Sequence, residues 1–541
     1  MQSRLLSLGF APSVAVAASS SFILALGAPP NGWTLGHWLG WVPLLVIVRR
    51  EIVSLRQAAW LGLAGGMGVG LGGFPWIAEM LVRFAGLPWA LACIGLLIFS
   101  IWMAIPYVIW SVGLRAGPRE GVASFAWAIV LFVSIQNLWP NLFPYTPLLG
   151  FAERPEWMQL AEVGGVHLVE SIVIGAALFA ARAVVARPGR AMARDFAIAV
   201  VIPSLLFGYG SWRMGVLVAE AEGAPSLRVG IVQPNLPVGG VPSGIKMARL
   251  TAPSARAERV GVDLIVWPEA GAYPYRIERP FRHDRDLGPG RVLVRHRTAT
   301  IFGANTRAPG ERFGWNTVYS LAADGEVLGE YDKVNLVPFG EVIPIIDPEW
   351  VSDLIPYIGH HERGEAPVRF VLPVETSPPR PERSFAAGPL ICYEDIIPSF
   401  VREVAALPGG VDLFVNVTID AWYGDSAEPW EHLALAQFRS IEHRIPMLRS
   451  VSTGVSAVVD NTGRVVAHIP LRPVAVDTLG EFPPEILVER IALARNTERD
   501  PTPFARFGWL FPHACQLATL AIGIAIVRRR GPAGTLEGAS E

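Results

Sequence analysis

Residues 389–394 read Pro-Leu-Ile-Cys-Tyr-Glu and close an apolar run, Phe385 to Ile391, short enough to be a buried strand. The run ends on Cys392, with the carboxylate of Glu394 two residues later. A thiol at a strand end is held by the scaffold while the following loop stays open, which suits chemistry. Only the thiolate is a strong nucleophile, and a free thiol with a pKa near ~8.5 is mostly protonated at neutral pH. Cys392 therefore needs a base and a cation beside it. Without them, the stretch reads as a buried cysteine acting as a small hydrophobe.

The surrounding chain is unusually apolar. Its 541 residues are 51% hydrophobic and only 17% charged, with a mean hydropathy of +0.38, which points to a membrane protein of two or more folding units. A formal net charge of −2 gives no sign of nucleic-acid binding. The three cysteines, Cys93, Cys392 and Cys515, suggest no disulfide framework. Uncharged runs long enough to cross the hydrocarbon are expected at Leu5–Ala28, Trp33–Val48, Gln57–Ala78, Phe84–Leu114, Gly121–Trp139, Val163–Ala181 and Phe196–Val218. Hydropathy then falls until an eighth run, Phe507–Val527. The second apolar run follows the first at once, so the start reads as an uncleaved helical hairpin rather than a signal peptide. The glycines of the third run permit close helix approach.

Arginine placement sets the expected orientation. Arg49, Arg50 and Arg56, then Arg115 and Arg119, then Arg182, Arg187, Arg190 and Arg194, and finally Arg528 to Arg530 fall on alternate connections. With eight spans these basic segments share one side, so both termini are expected in the cytoplasm and the insert outside it. Glu170 interrupts the sixth span and is expected to face the bundle interior or the interface, in a structural role. Trp139, Tyr145 and Trp157 read as interfacial aromatics.

The insert alternates short strands and helices. Strands are expected at Leu227–Val232, Asp263–Trp267, Ala299–Gly303, Thr317–Ala322, Phe385–Ile391, Asp412–Thr418, Pro446–Val451 and Val455–Val459, with helices around Lys246–Val260 and Pro429–Arg444. Asp324-Gly325 and Asn461-Thr462-Gly463 are hairpin-turn signals, and Pro373–Pro381 reads as a loop or insertion. The pattern is that of a layered α/β domain.

Two further strand ends carry ionisable groups. In Trp267-Pro268-Glu269 the proline stops the ladder and leaves Glu269 at the tip. Shielding by Trp267 and Pro268 would raise its pKa towards that of a base working near neutrality. In Tyr331-Asp332-Lys333, Lys333 lies among apolar neighbours, with Glu341 close enough to orient it. An ammonium there would favour a thiolate and an oxyanion. Taken singly, Glu269 also reads as a helix N-cap acid and Lys333 as a solvated turn lysine.

Together, Trp-Pro-Glu, Asp-Lys with Leu336-Val337-Pro338-Phe339-Gly340-Glu341, and Ile391-Cys392-Tyr393-Glu394 resemble the nitrilase (carbon-nitrogen hydrolase) superfamily over about Ser226–Thr497. Seven spans before it and one after, with Asn416-Val417-Thr418, Asp420-Ala421-Trp422-Tyr423-Gly424-Asp425-Ser426, Leu448-Arg449-Ser450 and Thr453-Gly454-Val455-Ser456, narrow the resemblance to the apolipoprotein N-acyltransferase family. The resemblance implies an eight-span helical bundle (1–220 and 505–530) carrying an α-β-β-α sandwich (226–497) on the periplasmic side of a bacterial inner membrane. It implies Glu269 as base, Lys333 as oxyanion stabiliser and Cys392 as nucleophile, with Glu341 positioning the lysine. Tyr393, Glu394, Trp422 and Asn316 match positions lining the family's site. The implied reaction moves a phospholipid sn-1 acyl chain, from phosphatidylethanolamine, through a cysteine thioester onto a diacylglyceryl apolipoprotein, with no cofactor, metal or nucleic acid. His360-His361 lacks metal-site spacing.

Asn335, Ile419 and Met247 depart from the family's usual wording, and none of them is a reacting group. The same three residues would serve a membrane-anchored amidase or nitrilase that gives its thioester to water. A transporter or receptor with a ligand-binding outer domain would instead expect polar residues recurring across several spans, and Glu170 is nearly alone.

Overall fold

The structure is a computed structural model that describes residues 8–141, 143–237, 240–338, 340–342, 361–373, 384–472, 482–493 and 500–530. His360, Phe339 and most of the proline-rich segment lie outside the described residues. The chain forms two compact units, Met1–Ser211 with Arg506–Glu541, and Trp212–Ala505.

The first unit is helical. Five helices are long and apolar enough to cross a membrane: Trp89–Ala116, Gly121–Leu138, Ala161–Val185, Arg190–Ala221 (which runs on into the second unit) and Gly508–Arg528. A sixth span results if Leu55–Gly73 and Trp76–Arg83, bent by 54°, are counted as one. The first two expected spans are shorter helices, Phe10–Leu26 and Leu35–Val48. The glycines of Leu55–Gly73 act as expected. A Cβ at Gly62, Gly66 or Gly70 would meet Tyr107 O at 2.5 Å, Ala104 Cα at 2.3 Å or Ser100 Cα at 2.8 Å, so this face lies directly on the helix Trp89–Ala116. Glu170 is buried, accepting from the Thr146 hydroxyl at 2.7 Å and pairing with His167 Nδ1 at 2.7 Å.

The second unit holds thirteen described strands in two sheets. In chain order they are β1 (Ser226–Gln233), β2 (Leu264–Val266), β3 (Ile277–Glu278), β4 (Ala299–Arg307), β5 (Trp315–Leu321), β6 (Val327–Asp332), β7 (Phe370–Leu372), β8 (Phe385–Ile391), β9 (Leu413–Thr418), β10 (Met447–Val451), β11 (Ala457–Val459), β12 (Val465–His468) and β13 (Glu485–Ala492). One sheet runs β13-β1-β2-β4-β5-β6 with β3 beside β4, and the other β12-β11-β10-β9-β8-β7. The parallel neighbours β1-β2-β4 and β8-β9-β10 are apolar, as strands covered on both faces must be. Alternation along β1 sends Leu227, Val229 and Ile231 into a core shared with Phe385, Phe414, Val415 and Leu448 of the opposite sheet. Val232, Ile265 and Trp267 face the other way, against Leu250 and Ala257 of the helix Ser243–Arg259. The helices Pro398–Ala405 and Glu428–His443 contribute Phe400, Val401, Val404, Leu433 and Ala436 to the shared core. The result is the expected layered sandwich. Each expected strand is present with ends shifted by a residue or a few, while β3, β6, β7, β12 and β13 are additional.

Candidate active site

Three strand ends of the sandwich deliver three groups. β2 ends at Val266, and just beyond it the Pro268 carbonyl accepts from Gly303 N at 3.1 Å. A Cβ at Gly303 would stand 2.7 Å from Glu269 Cα, so only glycine lets β4 run this close to the tip that carries Glu269. Trp267 is buried and donates from Nε1 to Ser254 Oγ at 2.8 Å, locking the turn from the helix side. β6 delivers Lys333, whose backbone N–H donates to Asn316 O at 2.9 Å. β8 delivers Cys392 on a 3-10 turn, Cys392–Ile396, and Cys392 itself has φ +52°. That left-handed conformation costs a non-glycine residue about 1–2 kcal/mol, and its place at a strand-to-turn junction lifts the side chain out of the ladder.

The Lys333 ammonium is buried between two carboxylates. It donates to Glu341 Oε1 at 2.9 Å and lies 2.8 Å from Oε2, and Glu269 Oε1 stands 3.6 Å away. Asn316 Nδ2 ties the two acids together, donating to Glu269 Oε1 at 2.6 Å and to Glu341 Oε1 at 3.3 Å. Glu341 Oε2 also accepts from Val337 N at 2.9 Å. One buried cation cannot neutralise two acids, and their pKa values part accordingly. Burial pushes Glu269 up to about 7, against the pull of Lys333 and with the help of Glu341. Burial would also raise Glu341, but Lys333 and its hydrogen bonds hold it below the ordinary carboxylate value. Lys333 stays charged: burial opposes the charge, and Glu341 and Glu269 outweigh it.

Cys392 belongs to the same enclosure. Its thiol pKa is raised, first by burial and then by Glu269, while Lys333 and a hydrogen bond with Thr418 pull it down. At neutral pH the group is a thiol beside a carboxylate that titrates near 7. Such a pair is suited to exchanging a proton during an attack rather than to resting as thiolate and acid.

Glu394 is fully buried and works as a clamp. It accepts from Tyr331 Oη at 2.7 and 2.8 Å, Val334 N at 2.8 Å, Asn335 N at 2.9 Å and Ile391 N at 2.8 Å. The cysteine turn and the lysine segment are thereby fixed to one another. Burial raises Glu394 to about 7 despite these donors. Tyr393 is half-buried on the cysteine turn and feels the charge of Lys333. Trp422 sits half-buried on the short 3-10 turn Ala421–Tyr423.

Sequence reasoning missed a second charged layer behind the turn. Asn416 Nδ2 donates to Cys392 O at 3.0 Å, and its own Oδ1 accepts from Arg449 at 3.1 Å. The buried Arg449 bridges Asp395 and Asp420 at 2.9 Å each, and His432 Nε2 meets Asp395 at 2.8 Å. Asp420, Glu428 and His432 present ligand atoms within 4.8 Å of one another. Arg449, Asn416 and Asp420 stood in the quoted motifs without an assigned role. The Glu428/His432 spacing of four on a helix was the one sequence signal for that pair, and Asp395 had none. Tyr423, beside Trp422 on the same turn, has its hydroxyl pKa raised, first by burial and then by the nearby charges of Glu428, Cys392, Asp420 and Glu269.

Both parts of the chain resemble known families. Residues 228–476 match the family of carbon-nitrogen hydrolases, and residues 20–181 match the apolipoprotein N-acyltransferase N-terminal domain. A protein of Geobacter metallireducens named apolipoprotein N-acyltransferase is 26% identical over 95% of each chain. One of the same name from Brucella melitensis is 30% identical over 81% of this chain and 83% of its own. Among solved structures, an amidase from Nesterenkonia sp. is similar over 52% of this chain and 92% of its own, at 18% identity and a TM-score of 0.34. On the two domain matches and the 30% identity to the Brucella protein over about four-fifths of each chain, the chain belongs to the apolipoprotein N-acyltransferase family.

Proposed function

We propose that this chain moves the sn-1 acyl group of a phospholipid, phosphatidylethanolamine, through a thioester on Cys392 to the N-terminal amine of a diacylglyceryl-cysteine apolipoprotein. The observation that carries the reading is one enclosure holding a thiol, a carboxylate with a pKa near 7 and a permanently charged lysine. Glu269 takes the thiol proton as Sγ attacks the ester carbonyl. The tetrahedral oxyanion meets Lys333, which Glu341 holds in position. Collapse breaks the ester C–O bond, and the lysophospholipid leaves with the proton from Glu269. The acceptor amine then attacks the thioester, Glu269 takes the amine proton, and cleavage of the C–S bond returns the thiol as the amide forms. Two half-reactions through one nucleophile give ping-pong kinetics.

The membrane frame supports a lipid donor. Drawing an acyl chain into water costs ~0.8 kcal/mol per methylene, and a site served directly from the bilayer avoids most of that. In this reading the helices form eight spans, 1–220 and 505–530, with both termini in the cytoplasm. The domain 226–497 then faces the periplasmic side of a bacterial inner membrane.

The test separates acyl transfer from hydrolysis. Protein preloaded with radiolabelled phosphatidylethanolamine is mixed with a diacylglyceryl-cysteine peptide. Label moving onto the peptide amine, with little free fatty acid, is expected; release of fatty acid alone would assign the site to a hydrolase.

A further inference from the structure

The three arginine-bearing connections inside the helical unit meet at one cavity of about 530 Å³. Arg49 and Arg50 reach it from the end of the helix Trp41–Val48, Arg119 from the turn before Gly121–Leu138, and Arg182 from the last turns of Ala161–Val185. One carboxylate, Glu120, also lines it. Arg182 is paired with Asp195 at 3.1 Å and lies over the Phe125 ring at 5.3 Å. The other three arginines have no carboxylate partner among the described residues. Arg49 donates to Arg119 O at 2.9 Å and to the Ser124 hydroxyl. Arg50 is buried, 8% exposed, and among the described residues donates to Ser13 Oγ at 3.3 Å and Leu8 O at 3.0 Å.

Like charges gathered around a hollow, one of them nearly out of water, are costly unless an anion stands between them. Planar guanidinium forks match phosphate oxygens better than any other side chain does. The remaining wall is apolar, with Leu45, Phe125, Leu178 and Val185 lining the same space. We infer that this cavity binds the phosphate of an acidic phospholipid, with the headgroup among the arginines and the acyl chains along the apolar wall. On the orientation proposed above, the site faces the cytoplasmic leaflet. It is separate from the acyl-transfer residues, and its occupancy does not depend on their chemistry.

The experiment uses the full-length Cys392→Ala chain, so that no acyl group is consumed, purified in a neutral detergent. Native mass spectrometry compares dioleoyl phosphatidylglycerol with dioleoyl phosphatidylcholine, and then competes the former with inorganic phosphate. Phosphatidylglycerol should be retained at least ~10-fold better than phosphatidylcholine, and millimolar phosphate should not displace it. Removing a juxtamembrane arginine weakens such binding by roughly fivefold. Arg119→Gln should therefore lose about that factor, and Arg49→Gln with Arg119→Gln roughly 25-fold, with phosphatidylcholine binding unchanged. Arg119 is exposed, so the single variant keeps the test valid even if the double variant fails to fold. Equal retention of the two lipids, full affinity in Arg119→Gln, or displacement by free phosphate would each overturn the assignment.

Discussion

Replacing Glu394 with alanine would leave the N–H groups of Val334, Asn335 and Ile391 without their acceptor. At about 1–3 kcal/mol for each buried unsatisfied donor, the loss should reach about 3 kcal/mol or more. It is read as a lowered thermal midpoint in detergent, together with lost acylation at Cys392. Glu269 makes a different prediction, set by pH. Its carboxylate must be ionised to accept the thiol proton, so the acylation rate should fall as pH drops through about 7. Glu341→Gln removes a charge that raises Glu269 and frees Lys333 to pair with it, so the acid limb should move to lower pH while the maximal rate falls. Of the three proposed reacting groups, Glu269 and Cys392 were legible because each follows a short, fully buried apolar strand. Lys333 follows β6, whose Glu330 and Asp332 break any apolar run, and it was legible only from its motif with Glu341. The Arg449–Asp395–His432 layer was not legible. Its members are remote along the chain, and only tertiary packing gives them a shared purpose.

The strands that bracket the site depend on the core between the two sheets. Phe414 on β9 is fully buried in it, and Phe414→Ala should cost about 3–5 kcal/mol, measured by chemical denaturation of the full chain. In the helical unit, Gly66→Leu would force side-chain atoms into the backbone at Ala104. Overpacking of ~1–3 kcal/mol or more is expected, seen as reduced folded yield, whereas Gly208→Ala has nothing within 4 Å and should be neutral. The central strands could be read from continuous apolar runs. β12 and β13 could not: β12 is four residues alternating between half-buried and exposed, and β13 is only half-buried along most of its length, with Glu485, Glu489 and Arg490 interrupting the pattern. β7 is three residues long, below what periodicity can register.

Over the whole molecule, the eight-span reading exceeds what helix length alone supports. Phe10–Leu26 and Leu35–Val48 are short, and Leu55–Gly73 is bent from its successor. Hydropathy marked where apolar residues lie, but a run of adequate composition can still break at a turn such as Asn31-Gly32 or a kink such as Gly164-Gly165. Alkaline phosphatase fused after residue 222 should be active and after residue 530 inactive; the same activity at both junctions would remove the proposed topology. The central claim is a covalent acyl group on one sulfur, and intact-protein mass spectrometry after incubation with phosphatidylethanolamine tests it most directly. The account predicts a single added mass equal to the sn-1 acyl chain, located on Cys392, released by hydroxylamine and absent from Cys392→Ala and Glu269→Gln. A Cys392→Ala chain that still acylates the diacylglyceryl peptide, or a wild-type chain that does so without ever carrying that mass, would contradict it.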